Sequence, residues 1–175
     1  HVLLALVLFN LPSSHAAEPL NYPMHSDGIE PEVYALALLN AALERTPGRY
    51  QLQPTPEPMV QSRALLAIEN DSKSVQVMWT MTTAEREERL LPIRIPIYRG
   101  LIGWRVLLQR SDNTEQLAAV RSLDQLKRFN FGQRHDWPDT AILRINGLKV
   151  VTSQHYPGLF QMLAAGRFDL FPREV

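Results

Sequence analysis

The chain of 175 residues is long enough for one ordinary domain or two small lobes, and its 45% hydrophobic and 21% charged residues are typical of a globular protein. Eighteen basic and eighteen acidic side chains cancel, so the net charge gives no support to a nucleic-acid partner. The absence of cysteine excludes disulfide bonds, thiolate metal sites and cysteine nucleophiles.

The first residues of the chain have the pattern of a secretory signal peptide. Val2–Phe9 is a continuous apolar run, but it is shorter than the roughly 20 residues that a membrane-spanning helix needs. Ser14 and Ala16 place small residues at the −3 and −1 positions of a cleavage site. We therefore predict a signal-peptide remnant over residues 1–16 and export of a mature chain to the periplasm, with a buried N-terminal strand as the alternative. No second apolar run of that length follows, so we expect no membrane span in the mature chain.

Residues 17–98 predict a first lobe in which strands and helices alternate. A helix is expected from Pro31 to Leu43, and because it is apolar on nearly every face we expect it to be well buried. A strand over Tyr50–Gln53 is closed by three prolines, of which Pro58 starts a second helix whose Val60, Leu65, Leu66 and Ile68 face the core. The alternation in Ser74–Trp79 predicts a further strand. This order is typical of a parallel sheet flanked by helices.

The segment after residue 90 predicts the passage into a second lobe over residues 99–175. Two prolines within Leu91–Ile97 rule out a central strand, so an extended crossing segment is expected there. A strand over Leu101–Gln109 follows, and then a polar loop with one helical turn over residues 111–121.

A second alternation of helices and strands fills the rest of the chain. Its predicted elements are a short helix capped by Ser122, a strand over Phe129–Gly132, a helix from Pro138 to Asn146, a strand over Leu148–Thr152, a helix over Tyr156–Ala165 with Leu159, Phe160, Met162 and Leu163 inward, and a strand over Phe168–Phe171. A final strand with nothing after it, and one crossing segment instead of two, predict that the second lobe is truncated and the chain is a fragment.

Two β/α lobes joined by an extended crossover resemble the type II periplasmic binding proteins. Thr83-Ala84-Glu85-Arg86, followed by Pro96-Ile97-Tyr98, is similar to the Thr-x-x-Arg and later Pro-Tyr segment of the family 3 extracellular solute-binding proteins. Gly166-Arg167-Phe168-Asp169 resembles their Gly-Arg-x-Asp, and the runs Gly132–Thr140, Leu159–Leu163 and Phe171–Arg173 resemble a divergent Gram-negative branch. The resemblance implies an α/β fold whose two lobes close over a small ligand, with an ABC permease as the candidate partner.

The resemblance also implies ligand-binding residues. It places Arg86 as the clamp on a ligand carboxylate, which suits a planar guanidinium, with a helix-surface charge as the alternative. Trp79 would form a wall of the cleft unless it packs in the core, and Thr82 would donate from its hydroxyl. Glu174, five residues after Asp169, would accept the ligand's ammonium. The set of candidate ligand-binding residues is completed by Tyr22, Arg134, His135, Asp136 and Trp137.

The last four of these residues are where the sequence departs from the family. Amino-acid binders have a glycine followed by hydroxyl residues at this point, so that backbone N–H groups at a helix start bind the carboxylate. Arg134, His135, Asp136 and Trp137 fill that space with bulky and charged side chains. This favours a different ligand or a role outside transport.

Other chemistry has less support. His135 and Asp136 have no partner at the spacing of a metal site, and the glycine-rich nucleotide-binding motifs are absent, so no metal or cofactor is expected. An exported dehydratase-like enzyme, with Glu174, Asp136 and His135 as acid or base, is one alternative on the same fold, and a sensory or regulatory module is another. Residues 1–90 carry six basic and eleven acidic side chains, whereas residues 91–175 carry twelve and seven, so we expect an acidic and a basic lobe. The favoured interpretation is a periplasmic solute-binding-like protein for a small polar ligand that bears a carboxylate.

Overall fold

The computed structural model describes residues 17–24, 32–46 and 48–174, so the predicted signal peptide lies outside the described residues. Among these residues no helix is both long enough and apolar enough to cross a membrane. The elements are β1 (Glu18–Met24), α1 (Glu32–Leu43), β2 (Tyr50–Pro58), α2 (Gln61–Glu69), α3 (Ala84–Arg89), β3 (Arg105–Gln109), α4 (Thr114–Ala118), α5 (Leu123–Leu126), β4 (Asn130–Arg134), α6 (Pro138–Ile145), β5 (Lys149–Ser153), α7 (Tyr156–Ala164) and β6 (Leu170–Glu174). Short 3₁₀ turns lie at Leu101–Gly103 and Ser111–Asn113.

Lobe 1 is built on the parallel pair β1 and β2. The register runs from Glu18 opposite Tyr50 to Tyr22 opposite Pro54, and slips before Met24 meets Pro58. β2 is therefore longer than the strand predicted over Tyr50–Gln53. It can contain prolines because it lies at an edge, where a proline costs no hydrogen bond on the open side. β1 itself was not located by the sequence.

The predicted strand at Ser74–Trp79 is wrong, although the segment lies where that strand was expected. Residues 75–83 have no regular secondary structure. The amides of Gln76 and Val77 both donate to the carbonyl of Asn21, at 2.9 and 3.3 Å, and the Asn21 amide donates to Oε1 of Gln76 at 2.7 Å. Oε1 of Gln76 thus takes the place of a backbone carbonyl as the acceptor for the Asn21 N–H. Residues 75–83 therefore lie beside β1 without forming a ladder of backbone hydrogen bonds with it.

The prediction that α1 is well buried is also wrong. Among residues 33–43 only Ala35 is buried, while Val33 is 68% and Tyr34 is 54% exposed. A sheet of two strands is too narrow to cover a helix that is apolar on all sides. In α2 likewise only Ala64 is buried, and Leu66 is more than half exposed.

Lobe 2 is built on a four-stranded sheet in the order β3-β6-β4-β5. β4 is parallel to β5 and to β6. β3 is antiparallel to β6, with Arg105 opposite Glu174. The helices of this lobe follow their sequence signals closely. Ser122 caps α5 by accepting from the Gln125 amide, Pro138 starts α6, and Gly166 ends α7 with a φ of 68°.

The buried apolar residues of lobe 2 form two clusters. One contains Leu159, Phe168 and Phe171, and the other contains Phe131 and Leu170. Phe160, expected inward, is 41% exposed and meets the rings of Tyr156 and Phe171 in edge-to-face geometry. A Cβ at Gly132 would lie 2.1 Å from Cζ of Phe168, so only glycine lets β4 approach that ring.

Candidate ligand-binding site

Arg86 lies at the centre of the candidate site, on the short helix α3. Thr83 caps this helix by accepting from the Arg86 amide at 3.2 Å, which fixes the direction in which the side chain leaves. Nη1 of Arg86 donates to Oγ1 of Thr80 at 3.0 Å and to the carbonyl of Met81 at 2.7 Å. Nη2 donates to Oε1 of Gln61 at 2.8 Å and, in lobe 2, to the carbonyl of Asp136 at 3.4 Å. Four of its five N–H groups therefore have partners, one of them across the lobes.

Asp136 is the lobe-2 residue that contacts Arg86. It lies in the turn between β4 and α6, which is closed by the Thr140 hydroxyl donating to the Arg134 carbonyl at 2.6 Å. Its side chain is 3% exposed. Oδ2 accepts from the backbone N–H of Ser62, in the first turn of α2, at 3.3 Å. Oδ1 lies 3.3 Å from Nε of Arg134, which is an ion pair without the alignment of a hydrogen bond.

We call Gln61, Ser62, Arg86, Arg134 and Asp136 the interlobe cluster. These five residues bring two cations, one carboxylate and a helix N-terminus together across the lobes. Burial lowers the pKa of Arg86 from its ordinary value, and the negative charges of Asp136 and Glu85 oppose that shift. The cluster can bind an anionic oxygen, because guanidinium groups and free helix N–H groups both donate to carboxylates.

An aromatic pair lies next to the cluster in lobe 1. The rings of Tyr22 and Trp79 are 5.9 Å apart, and Trp79 directly precedes the Thr80 that binds Arg86. Both rings are partly exposed. That Trp79 forms a wall of a ligand cleft stays a prediction.

Trp137 and Glu174 are linked in lobe 2 by Arg173. The Arg173 guanidinium lies 5.0 Å from the ring centre of Trp137 and 4.8 Å from that of Tyr156, within the range of cation–π contacts. Its Nη2 donates to Oε1 of Glu174 at 2.5 Å. Glu174 therefore lies beside the aromatic residues that follow Asp136, with an arginine as its partner.

Two candidates lie at the margin of the site. The hydroxyl of Thr82 donates to Oε1 of Glu87 on α3 at 3.0 Å, and it is Thr80 whose hydroxyl contacts Arg86. His135 is exposed, and its Nδ1 is 4.0 Å from Oδ1 of Asp136. Sequence reasoning missed Gln61, Ser62 and Thr80. The signal that could have found the first two is the helix start after Pro58, where N–H groups are free to bind an anion.

A groove with a volume of about 340 Å³ lies between α2 and α3. Ser62, Arg86 and the ion pair of Glu69 with Arg89 contribute to its lining. Leu65, Leu66 and Leu90 make much of the rest of its lining apolar. Within the described part of the chain, no three histidine, aspartate or glutamate residues are grouped as a metal site would require.

Solved structures of other proteins share this architecture. A Salmonella typhimurium periplasmic binding protein, described for its high arginine specificity, superposes with a TM-score of 0.62 over 91% of this chain and 70% of its own, at 12% identity. The chain has the type II periplasmic-binding-protein fold.

Two further structures show the range of proteins with this fold. A binding component of an ABC transporter from Wolinella succinogenes, complexed with lysine, has a TM-score of 0.56 over 90% of this chain and 67% of its own, at 10% identity. An ancestral amino-acid-binding protein, described as a precursor of cyclohexadienyl dehydratase, has a TM-score of 0.60 over 89% of this chain and 70% of its own, at 12% identity. No protein-family model and no curated protein matches the sequence.

Proposed function

We propose that this protein is an exported solute-binding protein whose two lobes, residues 17–98 and 99–175, close over a small polar ligand that bears a carboxylate. The observation that carries the proposal is the position of Arg86. Its guanidinium is anchored in lobe 1 by three acceptors and reaches lobe 2 with its remaining bond. A cation at that junction can bind an anion and draw the lobes together in one step.

The surroundings of Arg86 support a ligand with an organic body. The Tyr22–Trp79 pair supplies apolar surface, and the helix start at Ser62 supplies N–H donors, which is the combination that small-molecule sites use. The opposite charges of the two halves of the chain favour their approach. The structurally similar proteins named above are described as binding arginine or lysine or as binding amino acids, so an amino acid or a related compound is the ligand class to test first.

Catalysis has less support at this site than binding. Asp136 and Glu174 are the carboxylates that could act as acid or base, and each has an arginine beside it. We therefore propose binding as the function, with a permease as the partner that receives the ligand.

The test begins with a search for the ligand. The melting temperature of the protein is measured with L-arginine, L-lysine, L-glutamine, acetate and cyclic carboxylic acids, because a ligand that binds only the folded state raises it. A compound that raises the melting temperature is then titrated by calorimetry into wild type, Arg86→Lys and Arg89→Lys. Arg89 is the matched control, since it lies on the same helix and pairs with Glu69 and Glu85 on the exposed side.

The expected result is a loss specific to Arg86. Removing one partner of a buried charged contact costs about 2–5 kcal/mol. Arg86→Lys should therefore weaken binding by roughly 30-fold or more, because an ammonium lacks the planar fork that lets a guanidinium donate to its lobe-1 acceptors and to a ligand at once. Arg89→Lys should bind like wild type. Equal affinities in all three proteins, or no compound that binds, would contradict the proposed function. Export is tested separately, by sequencing the N-terminus of periplasmic protein, which should begin at Ala17 or within one or two residues of it.

A further inference from the structure

The side chain of Asp136 reaches away from its own helix and into the other lobe. The helix α6 begins after Trp137, and no side chain caps its N-terminus. Asp136 precedes the N-cap residue Trp137, so it lies outside the position whose side chain usually accepts from the first N–H groups of a helix. Its Oδ2 accepts from Ser62 at the start of α2, 74 residues earlier in the chain. The carboxylate is therefore recruited to lobe 1.

The groups around this carboxylate are those that recognise a free carboxylate. Ser62 presents a backbone N–H at the positive end of a nine-residue helix, and Arg134 lies 3.3 Å away on the other side. Arg86 donates to the carbonyl of the same residue at 3.4 Å, and the negative charge of Asp136 acts on its guanidinium. With 3% of its side chain exposed, the Asp136 carboxylate is almost fully buried. We call the Ser62 N–H and the Arg134 guanidinium the anion subsite. In the structure this subsite holds a carboxylate that belongs to the chain itself.

We propose that Asp136 is an internal carboxylate that occupies the anion subsite in the absence of ligand and keeps the two lobes together. A ligand that bears a carboxylate then binds by displacing the Asp136 side chain from Ser62 and Arg134. This rests on the proposed function only in its last step, because the contact between the lobes is made by atoms of the chain itself.

Displacement by the ligand has a measurable cost. If the internal carboxylate leaves between a tenth and a hundredth of the molecules open, the apparent affinity for a competing carboxylate falls about 10- to 100-fold. Removing the Asp136 carboxylate should therefore open the lobes and make the subsite available to an added anion.

The first experiment measures the distance between the lobes in the ligand-free protein. The chain has no cysteine, so the exposed Lys73 of lobe 1 and Lys149 of lobe 2 can be replaced by cysteine and spin-labelled without further changes. The distance distribution is compared between wild type, Asp136→Asn and Asp139→Asn, each in the labelled background. Asp139 is the matched control, because its Oδ1 is 2.7 Å from Nε of Arg105 in a pair confined to lobe 2. We expect longer distances in Asp136→Asn alone. Identical distributions in the three proteins would overturn the proposal.

The second experiment asks whether an added carboxylate replaces the lost one. Asp136→Gly empties the subsite, and acetate is compared with acetamide, which has the same shape without the charge, at matched ionic strength. Acetate should shorten the distance and raise the melting temperature of Asp136→Gly, at concentrations at least tenfold lower than any effect on wild type. Acetamide should do neither. An equal response to both compounds, or none to acetate, would overturn the proposal.

The two proposals fail in different ways. If Asp136 has the proposed role but the protein is not a solute-binding protein, the lobes still open in Asp136→Asn while the search for a ligand finds none. If the protein binds a solute but Asp136 has no such role, a ligand is found and the ligand-free distance does not change.

Discussion

The four hydrogen bonds of Arg86 predict that it stabilises the fold, in addition to its proposed role in binding. Arg86→Ala removes donors to Thr80, Met81 and Gln61 within lobe 1 and to Asp136 in lobe 2. A hydrogen bond from a charged donor contributes about 1.5–3 kcal/mol in a buried setting. Arg86 is only partly buried, so water can replace the arginine at several of these acceptors, and its own desolvation cost is recovered on mutation. We therefore expect a loss of about 2–3 kcal/mol in the free energy of unfolding, close to one bond's worth and well below four.

Urea denaturation followed by circular dichroism measures this loss directly. For a protein of this size it corresponds to a drop in melting temperature of about 4–12 °C. Arg86→Lys should lie between wild type and Arg86→Ala, because an ammonium has three donors on a compact head and cannot reach four acceptors.

Arg89→Ala provides the comparison for Arg86→Ala. Arg89 is exposed and its partners are Glu69 and Glu85, so Arg89→Ala should lower the free energy of unfolding by clearly less than Arg86→Ala does in the same experiment. If Arg86→Ala were no less stable than Arg89→Ala, the hydrogen bonds would not contribute as inferred, and Arg86 would be a surface charge.

Two further predictions concern packing and pH. Gly132→Ala should lower the free energy of unfolding by about 1–3 kcal/mol, because its Cβ would overlap the buried ring of Phe168. Gly103→Ala is the control, because a Cβ there meets nothing within 4 Å, and it should leave the free energy of unfolding unchanged. Equal urea midpoints for the two variants would refute this prediction. Hydrogen bonds from Arg89 lower the pKa of Glu69 in the folded protein. The stability that these bonds contribute is therefore fully present above the pKa of Glu69 in the unfolded chain, about 4.3. It is lost as the pH falls through the lower pKa of the folded protein. Glu69→Gln should accordingly flatten the decline of stability between about pH 5 and pH 3, and an unchanged slope would contradict the assignment.

The local signals in the sequence were sufficient for most of lobe 2. The start of α6 at Pro138, the cap of α5 by Ser122 and the end of α7 at Gly166 all depend on residues within one turn of each other. Such contacts form between neighbours in sequence, so they can be read without the fold. The two-lobed α/β class followed from the alternation of these elements.

Lobe 1 was less predictable because its elements depend on how many strands surround them. β2 continues through three prolines because one of its sides is open. The predicted strand Ser74–Trp79 is absent because Gln76 binds β1 with its side chain. The apolar pattern of α1 shows which side chains avoid water but not whether the sheet beneath is wide enough to cover them.

For the site, the sequence alone determined which residues carry charge, and the resemblance of Thr83–Arg86 to a known motif pointed to the arginine. Only the tertiary structure decided what that arginine binds. Gln61 lies 25 residues and Asp136 lies 50 residues from Arg86 along the chain, and Ser62 is 74 residues from Asp136. No periodicity or capping rule relates positions so far apart, because their proximity is set by the packing of two lobes. The sequence indicated that Asp136 departs from the resembled family at this point, and the fold placed its carboxylate against the first turn of α2 and beside Arg134.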